Sequence, residues 1–402
     1  MSSGLTGTPP LVRAVNRHLI LERVRRFGCI SRAELAKITA IRPPTVSAIV
    51  RQLIDEGLIE EVGDGPSRTG TGRPPRMVML SRRQPRVLGF EVNARTIRAV
   101  LSHLDGSVAH AAQQPSEPAP APQVVERLAG LGGALLAEAG MNWSDLAGVG
   151  VALQGLVDPE CGVVRWSRPF DWHMVDFQAL CTARWDRPTD VLNNAVAGSL
   201  AEHTLGAGRD VASLIYIFVR FDVIEQPGST LGMSVRLASG IIIHGEPYHG
   251  AFGAAGEITS LVNHPLLLAR GAGPRTAEDT AVFEAALSAG EPEAVAAMDR
   301  VGRDIGAHVM TAINFLDPAM VIVDSDHDAL GAAVLQRLGL MVAGDALRQV
   351  VGPTQLAAAT LGEFGIAQGA AVPALARMFR LPRLGTGRAR IDDDRIRQAQ
   401  LR

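Results

Sequence analysis

The 402-residue chain predicts a mixed α/β body preceded by a small winged helix-turn-helix. Three observations carry that expectation. Ser31 to Arg76 contains two short helical patterns, a Pro-Pro break and a glycine-rich basic segment. Residues 1–86 hold 15 Lys and Arg against 7 Asp and Glu, while the whole chain has a net charge of -2, so the remainder is acidic. From Arg86 onward, strand-like runs first cluster and then alternate with helical ones, as in a sheet covered by helices.

The totals limit the alternatives. With 47% hydrophobic and 20% charged residues, the chain can bury more than one core and is not a disordered polypeptide. Cys29, Cys161 and Cys181 form no Cys-x-x-Cys pair, which points to reduced thiols rather than a disulfide framework. No signal-peptide pattern opens the chain and no apolar run reaches membrane-spanning length, so a cytoplasmic protein with no membrane partner is expected.

Residues 1–10 read as a flexible leader and 11–84 as the DNA-binding domain. Leu11 to Phe27 is helical, with Leu11, Val15, Leu19, Ile20 and Val24 on one face. Ser31 caps the next helix and Glu34 completes a capping box. Ile41-Arg42-Pro43-Pro44 breaks the chain and restarts it, because proline is tolerated only in a helix's first turn. Val46, Ile49, Val50, Leu53 and Ile54 then recur at helical spacing, leaving Thr45, Ser47, Arg51 and Gln52 outside. Such a second helix can enter a DNA major groove. Leu58–Val62 and Met77–Leu80 read as wing strands around a tip at Gly63 to Arg76. That tip lacks the Gly-Lys-Ser/Thr ending of a P-loop. Arg73-Pro74-Pro75-Arg76 is either a stiff solvated connection or a pair of arginines held for a narrow minor groove. The residues expected to face DNA are Ser31, Arg32, Arg42, Pro44, Thr45, Ser47, Arg51, Arg73 and Arg76.

Residues 85–382 form the body. Val87–Val92, Thr96–Leu104 and Ser107–Ala112 are expected strands, with Asp105-Gly106 a hairpin turn. A Pro/Ala segment, Gln113 to Pro122, leads to a helix at Val124–Ala139. Leu146–Ala152 is a buried strand, Gly155–Pro159 a turn and Val163–Trp166 a strand. Val191-Leu192 feeds a helix at Ala195–Glu202. Strands at Ser213–Val219, Ser234–Ile243 and Met320–Val323 and helices at Ala277–Leu287, Glu293–Phe315, Ala329–Leu338 and Gly362–Arg377 complete it. Residues 383–402 read as a charged mobile tail.

Taken in order, these motifs resemble the ROK family, which groups sugar-responsive repressors with sugar kinases, and within it the regulator branch. The resemblance rests on Val12-Arg13-x-x-Asn16-Arg17-x-x-Ile20-Leu21, Ser31-Arg32-Ala33-Glu34-Leu35-Ala36, Pro44-Thr45-Val46-Ser47 and Gly72-Arg73-Pro74-Pro75. In the body it rests on Gly148–Ala152 with Gly155–Pro159, Gly245–Ala251, Ala255-Gly256-Glu257-Ile258, and Leu361-Gly362-Glu363 with Gly369-Ala370-Ala371. It implies an actin-like (ribonuclease H-like) two-lobed body, and sugar-contacting roles for Asn193 and Glu257. Each also has a structural reading, as a helix cap.

The departures point away from catalysis. Where family kinases carry Asp-x-Gly-Gly-Thr, this chain has Glu91-Val92-Asn93-Ala94-Arg95-Thr96, without the glycines that admit phosphate to the backbone. Val235–Gly240 stands where a second glycine loop is usual, after an insertion around Asp222 to Gly232. Asp324-Ser325 replaces a Gly-Gly pair that supports adenosine. The general base of an Asn-Asp-Ala stretch becomes Asn194 in Asn193-Asn194-Ala195, and an amide cannot take a hydroxyl proton. The resemblance also implies a regulator zinc cluster, but residues 261–280 have no cysteine. His244, His249 and His264 lie near Glu257 at a spacing that fits no ligand pattern, so no metal, cofactor or catalytic residue is expected.

The sequence therefore predicts a non-enzymatic transcriptional regulator, a repressor, bound as a homo-oligomer (dimer or tetramer) to a palindromic double-stranded DNA operator. A sugar-like effector would meet Asn193, Asn194 and Glu257. Two alternatives stay open at this stage: a sugar kinase with an added DNA-binding domain, and a DNA-binding protein whose body only assembles.

Overall fold

The computed structural model describes residues 9–64, 75–83, 86–226, 230–258 and 277–379. The wing tip with Arg73, the stretch holding His264, and the tail after 382 fall outside them. The chain divides into two compact units, one running to Ser81 and including residues from Ala376, the other Arg82–Leu375.

Among the described residues, the first unit runs through α1 (Pro9–Phe27), β1 (Cys29–Ser31), α2 (Arg32–Thr39), α3 (Pro43–Asp55), β2 (Ile59–Asp64) and β3 (Arg76–Leu80). Its antiparallel sheet runs β1-β3-β2, and β1 is a strand the sequence reading did not anticipate. Gly28 ends α1 at φ +71°. Pro43 and Pro44 occupy the first turn of α3, where a missing N–H costs nothing. Val46, Ile49, Val50 and Leu53 are buried with Ile20, Val24, Leu35, Ile59 and Val78. Each such side chain contributes about 1.5–3 kcal/mol. Phe379 also belongs to this unit, with the Arg25 guanidinium 5.7 Å from its ring centroid and His18 Nδ1 at its carbonyl.

The second unit opens with β4 (Val87–Val92), β5 (Thr96–Ser102), β6 (Val108–Pro115), α4 (Ala121–Glu138), β7 (Gly148–Leu153), β8 (Leu156–Val157), β9 (Val163–Ser167), β10 (Trp172–Asp176), α5 (Phe177–Trp185), β11 (Thr189–Asn193) and α6 (Asn194–Thr204). The main sheet here runs β11-β7-β4-β5-β6, with β4, β7 and β11 parallel, and β8 to β10 form a small antiparallel sheet. The expected turn at Gly155–Pro159 thus contains strand β8, because Leu156 and Val157 pair with Trp166 and Val164.

A second sheet follows from β12 (Leu214–Gln226), β13 (Thr230–Ile243), β14 (Glu246–Pro247), α7 (Ala277–Ser288), α8 (Pro292–Leu316), β15 (Met320–Ser325), α9 (Asp328–Gly344), α10 (Ala346–Val351), β16 (Gln355–Ala358) and α11 (Gly365–Phe379). Its order is β14-β13-β12-β15-β16. The insertion around Asp222 to Gly232 lengthens the β12–β13 hairpin, whose register runs unbroken from Leu214↔Ile242 to Gln226↔Thr230.

Helices α6 and α11 lie at backbone contact with the sheets. A Cβ on Gly150 of β7 would stand 1.7 Å from the Ala370 carbonyl oxygen of α11. One on Gly369 of α11 would stand 1.8 Å from that of Ala197 in α6. Glycine there is a packing requirement, because any larger residue forces the elements apart. This seam holds the start of α6 beside the ends of β4, β7 and β11, where parallel sheets commonly place their ligands.

Candidate functional site

In the winged-helix unit, Arg42 sits at the N-cap of α3 with φ -59° and ψ 136° and makes no side-chain cap. Arg42, Pro44, Thr45 and Arg51 are exposed and Ser47 is partly so. These five residues share the end and outer face of the second helix. Ser31, by contrast, is 3% exposed. Its hydroxyl accepts from the Glu34 amide at 3.2 Å and donates to the Glu34 carboxylate at 3.1 Å. Ser31 is therefore committed to the cap and does not present its side chain to DNA. Gln52 is also occupied, accepting from Arg13 and donating to Glu56 at 2.8 Å each. With Arg17 paired to Glu56 at 2.5 Å, α1 fastens the far end of α3.

Arg32 and Arg76 both meet Glu61, at 2.6 Å and 2.9 Å. The hydrogen bond from Arg76, and then the charge of Arg32, hold the Glu61 carboxyl below its ordinary range. Nothing in the sequence pattern singled out Glu61, whose partners lie 29 and 15 residues away. Arg73 lies outside the described residues.

In the body, loops leaving β4, β7 and β11 converge. Asn193 caps α6, its side-chain oxygen accepting from the Ala195 amide at 2.7 Å. Its amide nitrogen donates to the Gly155 carbonyl at 2.8 Å and to Glu257 Oε1 at 3.3 Å. The structure thus realises the cap and also joins the two expected ligand residues. Asn194 Oδ1 is buried without a hydrogen-bond partner among the described residues. Arg165, 2.6 Å from Asp158, braces the neighbouring turn and also donates to the Phe252 carbonyl at 3.2 Å. The hydrogen bond from Arg165 is the main reason Asp158 titrates below the usual carboxylate range.

The first loop is closed to phosphate by its own side chains. Asn93 is 4% exposed, and its Oδ1 accepts from the amides of Arg95 and Thr96, each at 2.9 Å. The Ala94 amide donates to Gln154 Oε1 at 3.4 Å. Glu91 accepts from Arg98 at 3.0 Å and from Asn93 at 3.2 Å. Three consecutive amides that a phosphate would need are therefore engaged already. At the second position, Val235–Gly240 is not a loop but continuous β13, paired from Val235↔Phe221 to Gly240↔Tyr216.

At the end of β15, Asp324 accepts from the buried Tyr216 hydroxyl at 2.5 Å and from the Ser325 amide at 2.8 Å. Burial pushes the Asp324 carboxyl up to about 6, with the charges of Glu202 and Glu91 adding to the rise. Glu202 is itself buried, gathering the amides of Ala207, Thr360 and Leu361 at 2.8–3.1 Å. This is a tightly tied acidic interior, unsuited to a polyanionic ligand. His249 titrates below the usual histidine range because it is partly buried.

Comparison with known proteins agrees with both halves. Residues 87–266 match the ROK family and residues 15–62 the MarR family. The chain is 25% identical over 248 residues to the xylose repressor of Bacillus subtilis, a match spanning 61% of this chain and 60% of that protein. The xylose repressors it matches are thus covered over about three fifths of their length. It is 23% identical over 350 residues to the DNA-binding transcriptional dual regulator NagC of Escherichia coli, covering 79% and 82%. Among solved structures, a ROK family transcriptional regulator homologous to the E. coli MLC protein superimposes with a TM-score of 0.67 at 19% identity, covering 90% and 96%. A ROK glucokinase from Streptomyces griseus reaches 0.53 at 22%, covering 71% and 98%. The two-sheet body is thus similar to the ROK family, and the winged helix-turn-helix that precedes it to the MarR family.

Proposed function

We propose that this protein is a DNA-binding transcriptional repressor whose body answers to a sugar-like metabolite and has no kinase activity. The observation that carries this is the pairing of an open reading helix with a closed phosphate site. Arg42, Thr45 and Arg51 are exposed on α3, while Asn93 and Gln154 consume the amides a nucleotide would use. The repressor relatives supply the same reading from outside.

One winged helix reads a short half-site, so a two-fold dimer, or a pair of dimers, on a palindromic duplex is the economical arrangement. The effector would lie against Asn193, Asn194 and Glu257, where an amide and a carboxylate can share vicinal hydroxyls. The kinase alternative requires phosphate contacts that the loop after β4 withholds.

The test selects duplexes from a random pool with the full-length protein, footprints the winners, and challenges the complex with a monosaccharide panel including xylose and N-acetylglucosamine. A two-fold footprint released by one sugar supports the whole reading. A footprint no sugar releases leaves only the DNA-binding half, and selection of no duplex refutes it.

A further inference from the structure

Glu61 is placed to do more than brace the wing. Arg32 follows β1 and Glu61 lies on β2, strands that flank β3 on opposite sides, and Arg76 begins β3. One carboxylate therefore ties the start of α2, just past β1, to β2 and β3, and the trio carries a net charge of one rather than two. The pairing is shallow: the side chains of Arg32 and Glu61 are each 30% exposed and that of Arg76 is 58% exposed. Exposed ion pairs of this kind add little to stability, so a phosphate can displace them. Arg32 Nε, moreover, is buried without a partner among the described residues, so Glu61 does not satisfy that guanidinium.

We propose that Glu61 is an electrostatic brake on DNA binding, holding Arg32 and Arg76 so that a phosphate must displace its carboxylate to reach them. This rests on the DNA-binding reading above. Since the two arginines also keep Glu61 ionised well into the acidic range, the brake is in force at neutral pH. Its consequence is a repressor that grips DNA less tightly than its arginines allow and is easier to release.

The experiment measures affinity against salt for the full-length protein on two duplexes of about 30 base pairs, one random and one selected by the native protein. Removing the carboxylate in Glu61→Gln, or in Glu61→Ala as a second neutral variant, frees one positive charge. Binding to both duplexes should tighten about three- to tenfold near 0.15 M salt, and the log–log slope should steepen by about one. Glu61→Asp keeps the charge and should keep the native slope, and Glu61→Gln with Arg76→Gln should restore it. An unchanged slope in folded neutral variants overturns the brake. Weaker binding overturns it too, showing that Glu61 instead positions the arginines for DNA. A folded native protein that binds neither duplex fails at the earlier step, taking the DNA-binding reading with it.

Discussion

Tyr216 and Asp324, on the neighbouring parallel strands β12 and β15, are joined by a 2.5 Å hydrogen bond from the phenol to the carboxylate. The carboxyl is pushed up to about 6 by burial, from an ordinary value of 3.8. The native state therefore holds a proton in this range that the unfolded chain gives up. Stability linked to Asp324 is present below pH 4 and is lost as pH rises through 6. Asp324→Asn keeps an acceptor for Tyr216 and removes the titration. The variant should gain about 1–3 kcal/mol over the native protein at pH 7.5, and the difference should vanish near pH 4. Thermal melts of both proteins across that range check it, and a gap independent of pH would sink the assignment.

Arg42 gives up a cap that a serine would supply. Arg42→Ser should raise or leave the melting temperature, since a serine cap is worth about 1 kcal/mol. The same change should weaken DNA binding. Loss at one base pair of roughly 1–3 kcal/mol would identify a base contact, and a uniform loss with a shallower salt slope a phosphate contact. Binding and salt dependence that match the native protein would mark Arg42 as a solvated surface residue.

Asn194→Asp should not create a sugar kinase. The substitution restores a carboxylate but leaves the amides of Ala94, Arg95 and Thr96 engaged by Gln154 and Asn93. A coupled assay for ADP across a hexose panel should read no turnover above a tag-only control. Sugar-dependent turnover would overturn the closed-loop argument.

Glu257 and Asn193 should separate in their effects. Glu257→Gln should abolish the thermal shift given by whichever sugar stabilises the native protein, with little change in the unliganded melt. Asn193→Ala should abolish it too while costing about 1 kcal/mol, because Asn193 also caps α6. Retention of the full sugar-induced shift in Glu257→Gln would remove this residue from the ligand site.

Local periodicity makes α3 plain in the sequence. Val46, Ile49, Val50 and Leu53 recur at helical spacing and are all buried. The Asp105-Gly106 turn was equally legible, and Gly106 adopts φ +82°. Helix α5 was not anticipated, although Asp176 caps it at the Ala179 amide and Phe177, Cys181 and Trp185 form a buried stripe. Three residues over nine are a weak periodic signal. Strands β10 and β16 owe their identity to partners, β9 and β15, rather than to their own alternation. In the site, the residue types flagged the lost glycine loop, but only the fold brings Gln154 to the Ala94 amide, 60 positions away.

The contacts at Gly150 and Gly369 leave nothing compressible between α11, α6 and β7. Sliding one of these elements past another would drive a carbonyl oxygen into a Cα, so the three are locked in place where they meet. Asn193 caps the first turn of α6, so the side chain that reaches Glu257 is carried by an element with no room to give way beneath it.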